Sequence, residues 1–109
     1  MSFEVVFLRE AQADLDAIHA HIDRQSPQGA LRWLDALESA VESLEHDPKR
    51  FAFAPENDLV STPIQNVSFK TAKGRPYRLV YAVVEEQVRV LRILGPGHDL
   101  LRADDLRHT

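Results

Sequence analysis

A chain of 109 residues, 44% hydrophobic and 28% charged, has the size and balance of one globular domain (residues 1–109) with a core of its own. No apolar run approaches the roughly 20 residues that span a bilayer, and Met1-Ser2-Phe3-Glu4 lacks the basic start and apolar stretch of a signal peptide. A cytoplasmic location without membrane association is therefore expected. The absence of cysteine excludes disulfides, a thiol nucleophile and thiolate metal sites.

The net charge of −4 argues against a general nucleic-acid binder, but the charge is unevenly spread. Residues 1–64 carry 5 basic and 12 acidic groups, whereas residues 65–109 carry 8 basic and 5 acidic ones. The two halves are expected to face different partners, or different solvent surfaces.

Phe3 to Phe7, β-branched and aromatic, predicts a first strand. A helix follows from about Arg9 to Gln25, because Ala11, Leu15, Ile18 and Ile22 recur at spacings that make one stripe. Ser26-Pro27 restarts the chain: a serine hydroxyl can accept from a first-turn N–H, and proline suits the first helical position. The second helix carries Ala30, Leu34, Leu37, Val41 and Leu44, and should stop at Asp47 because Pro48 disfavours helical geometry before it. Two amphipathic helices joined by so short a break predict an antiparallel hairpin. Residues 48–64 hold three prolines and no periodicity, and read as a loop.

Gln65 to Lys70, Pro76 to Val84 and Val88 to Leu94 predict three antiparallel strands, the last ended by Gly95-Pro96-Gly97. The fold class is therefore α+β: an N-terminal strand and a helix hairpin packed on a C-terminal antiparallel sheet. Register decides which side chains share a face. A two-residue turn at Glu85-Glu86 would place Arg92 beside Tyr77, Leu79 and Tyr81. A three-residue turn instead groups Tyr77, Leu79, Tyr81, Val83, Leu91 and Ile93, with Arg89 intruding near the turn. That second register separates apolar from charged side chains and is preferred. It leaves Arg78, Arg92, Val80 and Val90 on an open face away from the helices. Residues 99–109 are expected to form a short helix or a partly ordered end.

His19 and His21 lie on different helix faces and make no ligand pair, and nothing in the sequence calls for a metal or a cofactor. The basic cluster of Lys70, Lys73, Arg75, Arg78, Arg89 and Arg92 is the candidate binding feature. Arginines on a strand face can grip phosphates or an acidic peptide, although charges guarding a sheet edge would look the same. Trp33 flanks the stripe of the second helix and reads first as the edge of the core, second as a partner contact. Glu56 and His98 sit on loops beside the sheet and are candidate acid–base groups.

The order of these elements, ending in Tyr77-Arg78-Leu79-Val80-Tyr81 and Val88-Arg89-Val90-Leu91-Arg92-Ile93-Leu94, resembles the RelE/ParE superfamily of bacterial toxins over about residues 3–98. Phe3 to Phe7, Ala11, Ala13-Asp14-Leu15, Ile18, Ile22, Ser26-Pro27, Ala30 and Leu34 are similar to its ParE-type, plasmid-stabilisation branch. The resemblance implies the toxin of a type II toxin–antitoxin system, held in a hetero-oligomer by a cognate antitoxin whose C-terminal segment folds along it. Arg75, Arg78, Val80, Arg89, Arg92 and Trp33 would then meet the antitoxin or the target.

ParE-type members inhibit DNA gyrase without cleaving anything, whereas RelE-type members cleave mRNA on the ribosome. On the RelE-type pattern Arg78 would steady the phosphate, with Glu56 and His98 as base and acid. His98-Asp99-Leu100 stands where that pattern expects a tyrosine and a basic residue, and the acidic overall balance suits a ribosome binder poorly. The gyrase inhibitor is the preferred expectation, the ribonuclease the alternative, and an inactive toxin-derived binding domain the third reading.

Overall fold

The computed structural model describes residues 2–97 and 100–106. Strand β1 (Glu4–Phe7) leads into helix α1 (Arg9–Gln25) and helix α2 (Pro27–His46), followed by strands β2 (Gln65–Phe69), β3 (Tyr77–Val84) and β4 (Gln87–Leu94). Single-turn 3₁₀ segments occupy Pro48–Arg50, Pro55–Leu59 and Ala103–Leu106. The α+β class, the helix hairpin and the three C-terminal strands are as expected. One detail goes further: β1 joins the sheet parallel to β4, so the sheet is mixed, in the order β1-β4-β3-β2.

The helix break forms where local chemistry requires it. The Ser26 hydroxyl accepts from the Gly29 N–H at 2.9 Å, and Pro27 occupies the first helical position, where its missing N–H costs nothing. Ser26→Ala is expected to cost about 1 kcal/mol of stability in urea unfolding, the usual loss for an N-cap hydroxyl. Asp47, held before Pro48, ends α2.

The apolar stripes of both helices lie on one face of the sheet. Ala11, Trp33, Leu37, Ala40 and Leu44 pack there against Phe69, Leu79, Tyr81, Val88, Val90 and Ile93. Burial of so many aliphatic and aromatic side chains is the main force holding helices to strands.

The β3–β4 register corrects the expected one. The turn has two residues, Glu85-Glu86, with Val84 opposite Gln87 and Glu85 at φ 57°. A bulge then moves the pairing from Tyr81–Val90 to Val80–Arg92, leaving Leu91 over. An extra residue in one strand bends it and resets which side chains face which way. Val88 and Val90 thus reach the helix side before the bulge, and Ile93 after it, while Leu91 turns to the far side. The expectation had Leu91 with the helices and Val90 away from them; both are reversed. Arg89 does not intrude on the core, since it sits exposed opposite Ala82.

Nor is the far face open. Val80, Ala82, Leu91 and Leu94 form a second apolar cluster with Ala54, Ile64, Leu101 and Leu106. Residues 52–64 and the tail supply the cover that the helices cannot. Along the edge of β2, the Asn66 N–H donates to the Ala52 carbonyl and the Ala54 N–H to the Ile64 carbonyl, so part of this edge strand is paired.

Candidate partner-binding face

Two of the six basic side chains of the strand region act inside the molecule. Arg78 donates through Nη1 and Nη2 to both oxygens of Glu56, at 2.8 and 2.7 Å, and Nη1 also reaches Asn66 Oδ1 at 3.0 Å. Glu56 is 2% exposed. A 3₁₀ turn places it: the Asn57 N–H donates to the Ala54 carbonyl, and Asn57 Oδ1 accepts from the Ile64 N–H. The Leu101 N–H donates to Glu56 Oε2 at 3.0 Å and so fastens the tail to the same carboxylate. The Arg78 guanidinium, with help from that N–H, holds the Glu56 carboxyl at about 2 against an ordinary 4.5, although burial pushes the other way.

Arg92 is tied to α1. Its Nε donates to Asp14 Oδ2 at 2.7 Å and its Nη2 to Oδ1 at 3.0 Å, with Asp105 at 3.8 Å. The same Asp14 carboxylate accepts the Ile93 N–H at 2.9 Å. The cause is topological. β1 ends at Phe7, opposite Val90, so the outer edge of β4 beyond that point has no strand beside it, and a side chain from α1 takes over the vacated hydrogen bond.

Three of the exposed cations gather at one end of the sheet. Lys70, Lys73 and Arg75, around the β2–β3 turn, are exposed and in no ion pair among the described residues. Arg75 stands between two hollows. One, of about 250 Å³, is lined by Ser68, Tyr77, Arg78 and Leu94. The other, of about 290 Å³, is lined by Ile22, Arg32, Trp33 and Thr71. Arg32 on α2 thus joins Arg75 at the rim. Sequence reasoning missed it, since only the fold brings a helix position beside that turn.

The remaining candidates divide clearly. Val80 is fully buried and Trp33 is 2% exposed, so neither is a surface contact in this chain. Val80 is covered by the tail cluster, and Trp33 packs with Phe69 and Tyr77 at ring distances of 5.9 and 5.6 Å. Trp33 is therefore core, its first reading. Arg89 is exposed but lies at the other end of β4, bonded to Gln87 and sharing a hollow with Glu4, Glu85 and Glu86. Arg75 alone of the named set is both exposed and set among other free cations. His98 lies outside the described residues. What the exposed group can do is bind anions: arginines and lysines with no carboxylate partner suit a carboxylate-rich segment.

A small mixed sheet carries a helix hairpin on one face and an exposed basic patch at its end, an α+β fold. Residues 5–99 match the family described as the ParE toxin of the type II toxin-antitoxin system, parDE. The chain belongs to that family. A solved structure described as the chromosomal ParDE TA system from P. aeruginosa shares the fold, with a TM-score of 0.63 and 23% identity, over 85% of this chain and 95% of that one. No curated protein matches the sequence.

Proposed function

We propose that this chain is a single-domain cytoplasmic toxin that inhibits DNA gyrase by binding it, and that a cognate antitoxin neutralises it in a hetero-oligomer. Family membership supports the toxin–antitoxin setting. The choice between a binding inhibitor and a ribonuclease rests on one observation, the closed Glu56–Arg78 pair. A general base must reach its proton and have a proton affinity near the working pH. Glu56 is buried and held at about 2, and the guanidinium that would steady a phosphate is already bound to it. Acid–base chemistry is poorly served there, whereas the free cations around Arg75 serve recognition.

The test is the purified chain assayed both for gyrase supercoiling and for cleavage of mRNA on ribosomes. Supercoiling should be inhibited and mRNA left intact. Codon-positioned cleavage, lost in Arg78→Ala, would establish the ribonuclease instead. If neither activity appears and the antitoxin still binds, the chain is the inactive binding domain.

The antitoxin segment that meets the basic end should be acidic. Lys73→Glu with Arg75→Glu is expected to weaken antitoxin binding about tenfold or more in titration calorimetry, because like charges then face each other.

A further inference from the structure

The hollow beside Trp33 gathers more hydrogen-bond donors than the fold uses. Its volume is about 290 Å³. Arg32 lines it from α2, Thr71 and Arg75 line it from the β2–β3 turn, and Trp33 and Tyr77 give it an aromatic wall. None of the lining side chains is acidic. Arg32 and Arg75 are both exposed, and neither is in an ion pair among the described residues.

Trp33 adds a donor of another kind. Its Nε1–H is buried and has no acceptor among the described residues. A buried donor left unpaired is costly, and native chains keep few of them. Packing with Phe69 and Tyr77 accounts for the ring of Trp33 but not for its N–H. Gly29, in the first turn of α2, also lines the hollow. That turn carries no acidic residue, although the positive end of a helix dipole favours one. Two guanidiniums, a hydroxyl, an unanswered indole N–H and a helix start thus converge with no negative group among them, and sites that break local rules are where function is expected.

We propose that this hollow binds the phosphate group of a small phosphate monoester, about the size of a sugar phosphate. The terminal oxygens of a phosphate dianion can accept from two guanidiniums, the Thr71 hydroxyl and the indole N–H together, and the arginine fork suits them geometrically. A carboxylate has only two oxygens to share among the same donors. The volume lies at the lower end of the roughly 300–1,000 Å³ of small-molecule sites, which favours a small ligand. The indole N–H is enclosed in the free chain, so contact with it requires the lining side chains to move aside, as exposed arginines do on the nanosecond scale. Arg78 lines the neighbouring hollow and not this one, so the site asks nothing of the Glu56–Arg78 pair. The inference goes beyond the gyrase reading and does not depend on it.

Trp33 is the only tryptophan of the chain, so its fluorescence and its indole N–H resonance both report the site. Inorganic phosphate, a ribose phosphate, ribose and glutamate are titrated into the full chain at fixed ionic strength. Both phosphates should saturate and move the indole proton downfield, as an N–H does on gaining an acceptor. Ribose and glutamate should bind about tenfold more weakly or not at all. Arg32→Gln with Arg75→Gln should weaken the ribose phosphate about tenfold or more. Both positions are exposed, and circular dichroism checks that the variant remains folded. Trp33→Phe keeps a ring in the core and removes the N–H, and should weaken binding about fivefold by phosphorus NMR. An indole resonance that stays in place at saturation would overturn the proposal, as would affinity indifferent to the arginine pair or equal affinity for glutamate. Binding of inorganic phosphate without the ribose phosphate would make the free ion the ligand and would also overturn it. The titrations contain neither gyrase nor antitoxin, so either proposal can fail alone.

Discussion

Glu56→Gln is expected to lower the stability of the folded chain by about 3–5 kcal/mol in urea unfolding, the usual loss when one partner of a buried pair is removed. The change preserves shape but removes the charge that answers the Arg78 guanidinium, itself largely buried with 20% of its side chain exposed. It also weakens the acceptor for the Leu101 N–H, so the tail should loosen along with Residues 55–59. A catalytic acid or base tested the same way would lose activity and keep its stability. The fall in stability is thus a signature of a structural role.

The pH dependence gives a second readout of the same pair. The folded Glu56 carboxyl titrates at about 2, below its ordinary 4.5. A depressed acid contributes stability that is fully present above its unfolded value and is lost as pH falls through its folded value. The wild type should therefore lose about 3 kcal/mol between roughly pH 5 and pH 2 from this group, and Glu56→Gln should lack that loss. Arg78→Ala should reverse the sign. With the guanidinium gone, burial raises the Glu56 carboxyl, and the variant should gain stability when acidified from neutral pH. Removing both charges, in Glu56→Leu with Arg78→Met, should be less damaging than either single change, because no buried ion is then left alone.

The difference between what could be read in the chain and what could not follows the range of the interactions. Helices α1 and α2 were legible because their causes are local: a stripe every three or four residues, a serine and a proline at one boundary, Pro48 at the other. Strand identity was legible for the same reason. The β3–β4 register was not, because a single bulge makes both candidate pairings true, one on each side of Leu91. No count of alternating residues distinguishes a continuous strand from one that is reset midway. The covered far face was also hidden. Ala54, Ile64, Leu101 and Leu106 show no period, and their meeting with Val80 and Leu91 is decided by tertiary contact alone.

For the candidate site, the basic cluster was visible as composition but its division was not. Nothing near Arg78 announces Glu56, 22 positions earlier, and nothing near Arg92 announces Asp14, 78 positions earlier. Arginines that were expected on an open face proved to be struts. The free cations at Lys70, Lys73 and Arg75 looked equivalent to them in the sequence and are physically different.

Asp14→Ala should cost about 2–3 kcal/mol, because it strips partners from a charged group and from a backbone donor in one step. Arg92 loses both of its short bonds, and the Ile93 N–H loses its acceptor on the part of β4 that β1 does not reach. Neither loss is made good by solvent in full, since the Arg92 and Asp14 side chains are only 19% and 17% exposed. The two contributions can be separated. Asp14→Asn keeps an amide oxygen that can still accept the Ile93 N–H while giving up the charge opposite Arg92, so it should recover about half of the loss. Hydrogen exchange resolves the backbone part directly: protection of the Ile93 amide should fall sharply in Asp14→Ala and only modestly in Asp14→Asn. Arg92→Met offers the complementary cut, removing the cation and leaving the carboxylate free to accept from Ile93. If Ile93 stays protected in that variant while stability drops, the ion pair holds α1 against β4 and the carboxylate–amide bond closes the sheet edge. If protection at Ile93 is unchanged in Asp14→Ala, the edge is satisfied by another acceptor and the side chain's part in completing the sheet is wrong.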